Sequence, residues 1–440
     1  MFAKIRRRKI LLSILLFIII GLFQYYVLDE ITASRLIQFA VLDCIMLIAV
    51  YSFRGFDLDT MKSLNASLIS MSVGAIFGGL IATVFLLIFR SALPDYLNRW
   101  DIIFSVAVVS IIFPIVSKIF YHFIQGLVPP CKCYVLGSKK KFSGILKEIE
   151  KASHGKLTVA EWIEEPRKLE LKLLEKNHCD IILIADWKLY QSMKEEVRNC
   201  LKLGYRKKFI TTAVERWLKR IPMEVVDEFA DYYETLFSDV NLSKRKRVLD
   251  IFIAVFIGII TLPFTIITGF LVLLFSGWPI IFKHKRIGLH GKEFMFYKFR
   301  SMKRISSKDL DALENPNGTI KQRVTLIGKL IRKIRFDELP QLWNIIKGDM
   351  SLIGPRPEMN QYHEKYKDVI PYYFYRSYLK PGITGWAQIH YNHTTNEEEY
   401  KKKTEYDLYY IKNRSIQLDV QITMMTVETM LGMRDSNNDL

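Results

Sequence analysis

The chain has 440 residues, half of them hydrophobic, and 63 Lys and Arg against 45 Asp and Glu give it a formal charge of +18. That balance excludes both a purely water-soluble enzyme and a transporter that is apolar throughout. It predicts a membrane part joined to a basic, water-exposed part, with membrane lipids rather than nucleic acid as the partner of the basic charge.

Four N-terminal runs are long enough to cross a bilayer, which takes about 20 apolar residues each. They cover roughly residues 10–27, 37–53, 64–89 and 102–124. Arg6, Arg7, Arg8 and Lys9 precede the first run while Asp29 and Glu30 follow it, so the positive-inside rule places the N-terminus in the cytoplasm and four crossings return the chain there. A cleaved signal peptide is the competing reading of the first run, but the run is long and no small-residue cleavage site precedes the next span. Asp43 is the clearest ionisable residue within the spans, which argues against a polytopic transporter or flippase. Cys44, Cys131, Cys133, Cys179 and Cys200 are odd in number and lack the spacing of zinc or redox motifs, as expected for reduced cytoplasmic thiols.

From Cys131 to about Val240 the pattern turns α/β. Strand-like CYVLG, KLTVAEWI and DIILIA alternate with helical segments, predicting a small parallel, Rossmann-like sheet. Where a dinucleotide fingerprint would need three glycines only Gly137 stands, followed by Ser138, Lys139, Lys140 and Lys141, so a structural or regulatory module is the simpler reading.

Next come Lys244, Arg245, Lys246 and Arg247, an apolar run over about 248–275, and then Lys283, His284, Lys285 and Arg286. Basic clusters at both ends oppose a simple crossing and fit a helix that enters the membrane, breaks and returns. Pro263, preceded by Leu262, sits near its centre and Thr261 can supply a hydroxyl to freed backbone groups. A fifth spanning helix with a proline kink has the same periodicity.

The stretch RFDELPQLWNIIKGDMSLIGPRPE, residues 335–358, carries the densest chemistry. Asp337 reads as an N-cap, Glu338 opens the helix, Pro340 is tolerated in the first turn and Gly348 ends it. Unpaired N–H groups at that end attract phosphate. Leu339, Leu342, Trp343 and Ile346 follow helical spacing, so one face is expected against a core or lipid headgroups. An ordinary capping box beside an amphipathic helix is the plainer alternative. Downstream, Arg356 is held between prolines, Pro357 being the second, as a forked donor for phosphate or uridine or as a surface arginine in a stiff loop. Lys298 and Arg300 alternate with Tyr297 and Phe299, which suits a strand with a basic face for substrate or for lipid headgroups. PYYFYRSY, residues 371–378, fits an interfacial helix or ordinary core packing. His284, His290, His363, His390 and His393 lack metal-ligand spacing.

FMFYKFRSM, RFDELPQLWNIIKGDMSLIGPRPE, KPGITGWAQ and EYDLYYIKNRSIQLDV follow the 248–275 segment in the order seen in the bacterial sugar transferase family. The chain resembles its large members, the polyprenyl-phosphate hexose-1-phosphate transferases, or monotopic phosphoglycosyl transferases. The resemblance covers the C-terminal half motif by motif and the rest loosely. It implies four transmembrane helices over 1–128, a Rossmann-like cytoplasmic domain over 129–240, and an α+β catalytic domain over 241–440 with a re-entrant helix. It also implies transfer of a hexose 1-phosphate from a UDP-sugar to undecaprenyl phosphate at the cytoplasmic face of the bacterial inner membrane, releasing UMP and initiating a surface polysaccharide. Glucose or galactose is the sugar expected of large members. On this likeness Asp337 matches the nucleophile that forms a covalent phosphosugar intermediate and Glu338 the Mg²⁺ ligand, with Asp337 beside it. Lys298, Arg300, Arg356, Pro357, Lys380, Asp407 and Asp419 match substrate-side or architectural positions. Leu262 stands where many members have the serine of a Ser-Pro break. A non-covalent transferase using Asp337 as base or metal ligand, and a membrane-tethered scaffold with an inactive transferase domain, are the alternatives; self-association into a homodimer is left open.

Overall fold

Apolar residues one turn apart set the first unit. Leu12, Leu16 and Ile20 on one helix, Phe39, Leu42, Met46 and Val50 on Ala33–Ser52, Met71, Ala75, Ala82 and Leu86 on Leu64–Ile88, and Val109 and Phe113 on Arg99–Leu127 form its core. The computed structural model describes residues 12–22, 24, 32–56, 60–61, 64–88, 97–127, 130–165, 181–240, 243–302, 324–391 and 396–430. Arg6–Lys9, Asp29, Glu30, Cys179, His393 and the outer parts of the first expected span lie outside them. Helices 33–52 and 64–88 touch backbone to backbone: a Cβ on Gly74 would stand 2.7 Å from the Val50 Cα, and one on Gly78 2.7 Å from the Met46 Cα. That spacing of small residues is the means by which apolar helices approach closely. Asp43 is buried and receives Gln24 Nε2 at 3.2 Å, the same nitrogen lying 2.9 Å from Ser105 Oγ. Ile48, Leu80, Ile88 and Ile119 face outward. Ala33–Ser52, Ser67–Ile88, Arg99–Phe123 and Lys244–Ser276 are long and apolar enough to cross a membrane; the first expected span is described as the shorter helix Leu12–Leu22.

The second unit runs from Pro130 to Leu440. Strands β1 (Cys131–Leu136), β2 (Leu157–Ile163), β3 (Ile181–Ile184) and β4 (Arg206–Phe209) form an all-parallel sheet in the order β2-β1-β3-β4. The near-continuous apolar runs of β1 and β3 are those of strands covered on both faces. β4, reading RKKF, carries no apolar alternation; the Lys207 ammonium lies over the Tyr190 and Phe209 rings, which supplies the missing packing. The segment after β4 docks on helix Glu397–Asn413. Arg220 pairs with Glu405 and, at 2.5 Å, with Glu148, while the Trp386 indole N–H donates to the Lys219 carbonyl at 2.8 Å.

Two further two-stranded sheets follow among the described residues, the antiparallel hairpin β5 (Ile281–Ile287) and β6 (Glu293–Phe299) and the parallel pair β7 (Ser351–Ile353) and β8 (Gly382–Thr384). Lys244–Ser276 is assigned as one helix of 33 residues with Pro263 inside it, rather than as two helices about a break. Thr261 Oγ1 donates to the Ile257 carbonyl at 2.8 Å, as its placement before the proline suggested. Its fully buried residues lie toward the two ends. Asp250 and Ala254 are buried near one end, Thr268, Gly269 and Val272 near the other, and most of the apolar residues between, Leu262 among them, stand exposed, although the Phe264 ring lies 5.8 Å from that of Phe336. Ala254 belongs to the cluster of Phe296 and Val272 to that of Phe299, three residues along the same strand.

Residues 371–378 form a 3-10 turn, Tyr373–Tyr378, with Tyr373, Arg376 and Ser377 buried and Tyr375 against Phe237. Core packing, the plainer of the two sequence readings, accounts for most of it.

Candidate active site

Arg335 adopts a left-handed backbone (φ 61°, ψ 16°), reversing the chain after helix Leu326–Lys333 and leading into the 3-10 turn Phe336–Glu338. Asp337 is therefore inside a turn and is not an N-cap. The α-helix proper begins four residues later, at Gln341–Lys347, and Pro340 precedes it without a side-chain cap. The reversal frees the Asp337 carboxylate from backbone N–H groups and leaves it buried beside β6. Gly348 (φ 103°) ends the helix as expected, and Arg247 donates to the terminal carbonyls of Ile345 at 2.6 Å and Ile346 at 3.0 Å.

The buried face of this helix is mixed, with Ile345 in the core, Leu342 packed against it and two amides beside them. Gln341, Asn344 and Ile345 are buried, whereas Trp343 is 60% exposed. Of the two expected settings for the apolar stripe, a protein core is thus excluded for Trp343. Asn344 explains the inversion: its Nδ2 donates to the Met295 carbonyl at 2.7 Å and its Oδ1 accepts from the Tyr297 N–H at 3.2 Å. It replaces a missing ladder partner for β6 and fixes the strand just before Lys298.

Lys298 joins the two carboxylates. Its Nζ stands 3.2 Å from Glu338 Oε1 and 3.9 Å from Asp337 Oδ2, and Arg335 Nη1 lies 3.4 Å from the same Glu338 oxygen. The neighbours separate. Burial raises the Asp337 carboxyl above its ordinary value, Lys298 opposing and Glu338 adding to the rise. Burial acts on Glu338 in the same sense, but Lys298, Arg356 and Arg335 outweigh it and hold Glu338 below its ordinary value. Two adjacent carboxylates are thus set apart by environment: Glu338 is firmly ionised and Asp337 is the more basic.

Arg356 is placed by glycines. A Cβ on Gly354 would lie 2.3 Å from the Lys380 carbonyl oxygen and one on Gly382 2.1 Å from the Gly354 nitrogen, so the GPRPE and KPGITG loops close only without side chains there. This contact brings Gln388 Oε1 within 3.2 Å of Arg356 Nη1. Below the loop, buried Glu358 accepts from Lys403 at 2.5 Å and pairs with Arg376 at 3.5 Å, and Arg376 pairs with Asp407 at 2.9 Å. Burial would raise Glu358, but Lys403 and then Arg376 hold it at about 2.

Of the expected site residues, Asp337, Glu338, Lys298 and Arg356 are brought together. Pro357 offers its carbonyl to Arg286 at 3.4 Å. Arg300 donates to the Trp278 carbonyl at 3.0 Å, just past the end of β6 that carries Lys298. Burial and then the charge of Arg247 hold the Lys380 ammonium below its ordinary value, with Asp250 and Asp349 opposing. Asp407 serves Arg376, and Asp419 holds Lys246 at 2.6 Å and the Tyr410 hydroxyl at 2.7 Å, so both are architectural in their contacts. Pro263 and Leu262 lie in the exposed stretch of the long helix. Sequence reading passed over Arg335, Asn344, Glu358 and Gln388; the i, i+3 spacing of Arg335 to Glu338 was the one local signal for any of them. Among the described residues no group of three His, Cys, Asp or Glu is placed to hold a metal.

The profile of the bacterial sugar transferase family matches residues 242–433, the span that contains this site. The uncharacterized sugar transferase EpsL of Bacillus subtilis is 40% identical over 196 residues, covering 44% of this chain and 92% of that protein. The chain belongs to the bacterial sugar transferase family. Two longer relatives are the UDP-N-acetylgalactosamine-undecaprenyl-phosphate N-acetylgalactosaminephosphotransferase of Aeromonas hydrophila, 43% identical over 186 residues, and the UDP-glucose:undecaprenyl-phosphate glucose-1-phosphate transferase of Escherichia coli, 38% identical over 197. The matched region spans 43% and 42% of those two proteins and 42% and 44% of this chain. Asp337, Glu338, Lys298, Arg356 and their supporting carboxylates thus all lie in the part this sugar transferase shares with its family.

Proposed function

We propose that this sugar transferase moves a hexose 1-phosphate from a UDP-sugar to undecaprenyl phosphate, with Asp337 as a covalent nucleophile. The carrying observation is the environment of Asp337: a buried, comparatively basic carboxylate beside an ionised Glu338 and three cations, Lys298, Arg332 and Arg335, with Arg356 acting on Glu338. An Asp337 oxygen attacks the sugar-bearing phosphorus, the bond from that phosphorus to the bridging oxygen breaks, and UMP departs with the electron pair. An oxygen of undecaprenyl phosphate then attacks the same phosphorus, and the aspartyl oxygen leaves as a carboxylate. The covalent stage splits one displacement into two easier ones. Lys298 and Arg335 neutralise the incoming diphosphate, and Arg356, steadied by Gln388 and the Glu358 network, offers a planar fork to phosphate or the uracil ring.

Glu338 and Asp337 are hard oxygen donors and fit a Mg²⁺ that completes its shell with substrate phosphate and water, as Mg²⁺ commonly does. When bound, it would supply charge neutralisation at the diphosphate.

Both ends of helix 244–276 are seated on the same small domain while its middle is apolar and exposed. At about 50 Å it is also longer than the roughly 30 Å hydrocarbon core. These features support a re-entrant dip at Pro263 that keeps both ends on the cytoplasmic face of the inner membrane, where the lipid phosphate and the soluble donor meet. The strand order β2-β1-β3-β4 supports a Rossmann-like middle domain. The Lys139 N–H, where a phosphate would bind in such a fold, donates to Glu164 Oε1 at 2.7 Å, which favours a structural or regulatory role. The test is UMP release and lipid-product mass across UDP-glucose, UDP-galactose and UDP-N-acetylgalactosamine: one donor should yield the lipid diphosphosugar, and Asp337→Asn should abolish it. Substantial turnover by Asp337→Asn overturns the nucleophile.

A further inference from the structure

Gln341 is an unexplained polar residue of the site, and the one nearest Asp337 along the chain. It is only 2% exposed, and its Nε2 is buried without a hydrogen-bond partner among the described residues. A buried amide donor left unpaired costs stability, and a methionine or leucine of similar volume would avoid that cost. Its position is informative. The backbone is right-handed from the 3-10 turn through Leu339 (φ −53°) and Pro340 (φ −62°) into the helix, so Asp337, Gln341 and Asn344 stand at i, i+4 and i+7 on one face. That face looks onto β6, because Asn344 bonds the backbone of Met295 and Tyr297. Gln341 therefore lies along the chain between the strand clamp and the carboxylate, on the face turned to β6. Cations surround Glu338, but among the described residues Asp337 accepts no hydrogen bond from a neutral donor.

We propose that the Gln341 carboxamide is a catalytic donor that holds a non-bridging oxygen of the phosphoryl group while it is attached to Asp337. The inference rests on the covalent reading of Proposed function. A neutral donor suits this place: it stabilises charge on the phosphoryl oxygens without adding to the cations already gathered around Glu338. A single such donor is worth on the order of 100-fold in rate.

The experiment follows formation of the sugar-phosphate adduct on the full-length protein by rapid quench and intact mass, with UDP-sugar and no acceptor lipid, for wild type, Gln341→Met and Gln341→Leu. UMP affinity and thermal stability are measured alongside. The expected result is an adduct rate lowered about 100-fold in both variants, with UMP affinity unchanged, since UMP lacks the transferred phosphoryl, and stability unchanged or higher. Two results overturn the inference alone: wild-type adduct rates in Gln341→Met, or parallel losses of stability and UMP affinity in both variants. A wild-type protein that turns over without any adduct overturns the covalent reading and this inference with it.

Discussion

Replacing Glu358 by glutamine removes the carboxylate shared by Lys403 and Arg376 and leaves Lys403 buried without its ion-pair partner. The size of the effect follows from the held carboxyl value. A fall from 4.5 to about 2, at 1.36 kcal/mol per unit, corresponds to about 3 kcal/mol of native-state stability. The cost of breaking a buried pair, roughly 3–5 kcal/mol, agrees. For a domain of this size that is a drop in Tm of about 6–12 °C. The sign with pH is fixed. Because the folded value is depressed, the contribution is complete above about 4.5 and is lost as pH falls toward 2, so the gap between wild type and Glu358→Gln should close over that window. Thermal unfolding in lipid nanodiscs, followed at pH 7 and at steps down to pH 3, measures it. Adding Lys403→Met should recover part of the loss, because the orphaned ammonium is then gone. A Tm shift under about 2 °C at pH 7, or a gap that persists unchanged at low pH, would refute the reasoning.

Lys298→Met should lower turnover and move the acid limb of the pH–rate profile to higher pH, because Lys298 opposes the upward shift of Asp337, and Asp337 must be ionised to attack; a limb that stays put contradicts this. Glu338→Gln should raise the Mg²⁺ concentration needed for half-maximal turnover by about tenfold or more, and an unchanged titration would remove Glu338 as a ligand. Single cysteines at Ser243 and Lys283, flanking the long helix, should both be shielded from a membrane-impermeant reagent in intact cells. Labelling of only one would establish a spanning helix.

Much of the fold was legible because it rests on local rules. The apolar runs marked the membrane helices, the continuous apolar strands marked β1 and β3, and Gly348 marked a helix end that only a left-handed residue could make. What escaped the sequence depended on contacts distant along the chain. Nothing in the identity of Arg335 announces a left-handed backbone, yet that one conformation turns Asp337 from a helix cap into a side-chain carboxylate against β6. The Trp343 stripe looked like a buried face by period alone, but Asn344 occupies the inner face because the strand backbone there needs a partner. β4 hid its strand character behind three basic residues, one of which, Lys207, packs on the rings of Tyr190 and Phe209. The motif residues themselves were found, whereas their supports were not: Glu358, Lys403 and Arg376 come from three segments that meet only when the glycines of two loops interlock.

The most direct measurement incubates the protein with a UDP-sugar in the absence of undecaprenyl phosphate, digests it after an acid-free quench, and maps the peptide containing residues 336–347 by mass spectrometry. The account predicts a hexose-phosphate mass on Asp337 that disappears when undecaprenyl phosphate is added and never forms in Asp337→Asn. Lipid product accumulating at full rate while Asp337 stays unmodified would contradict it.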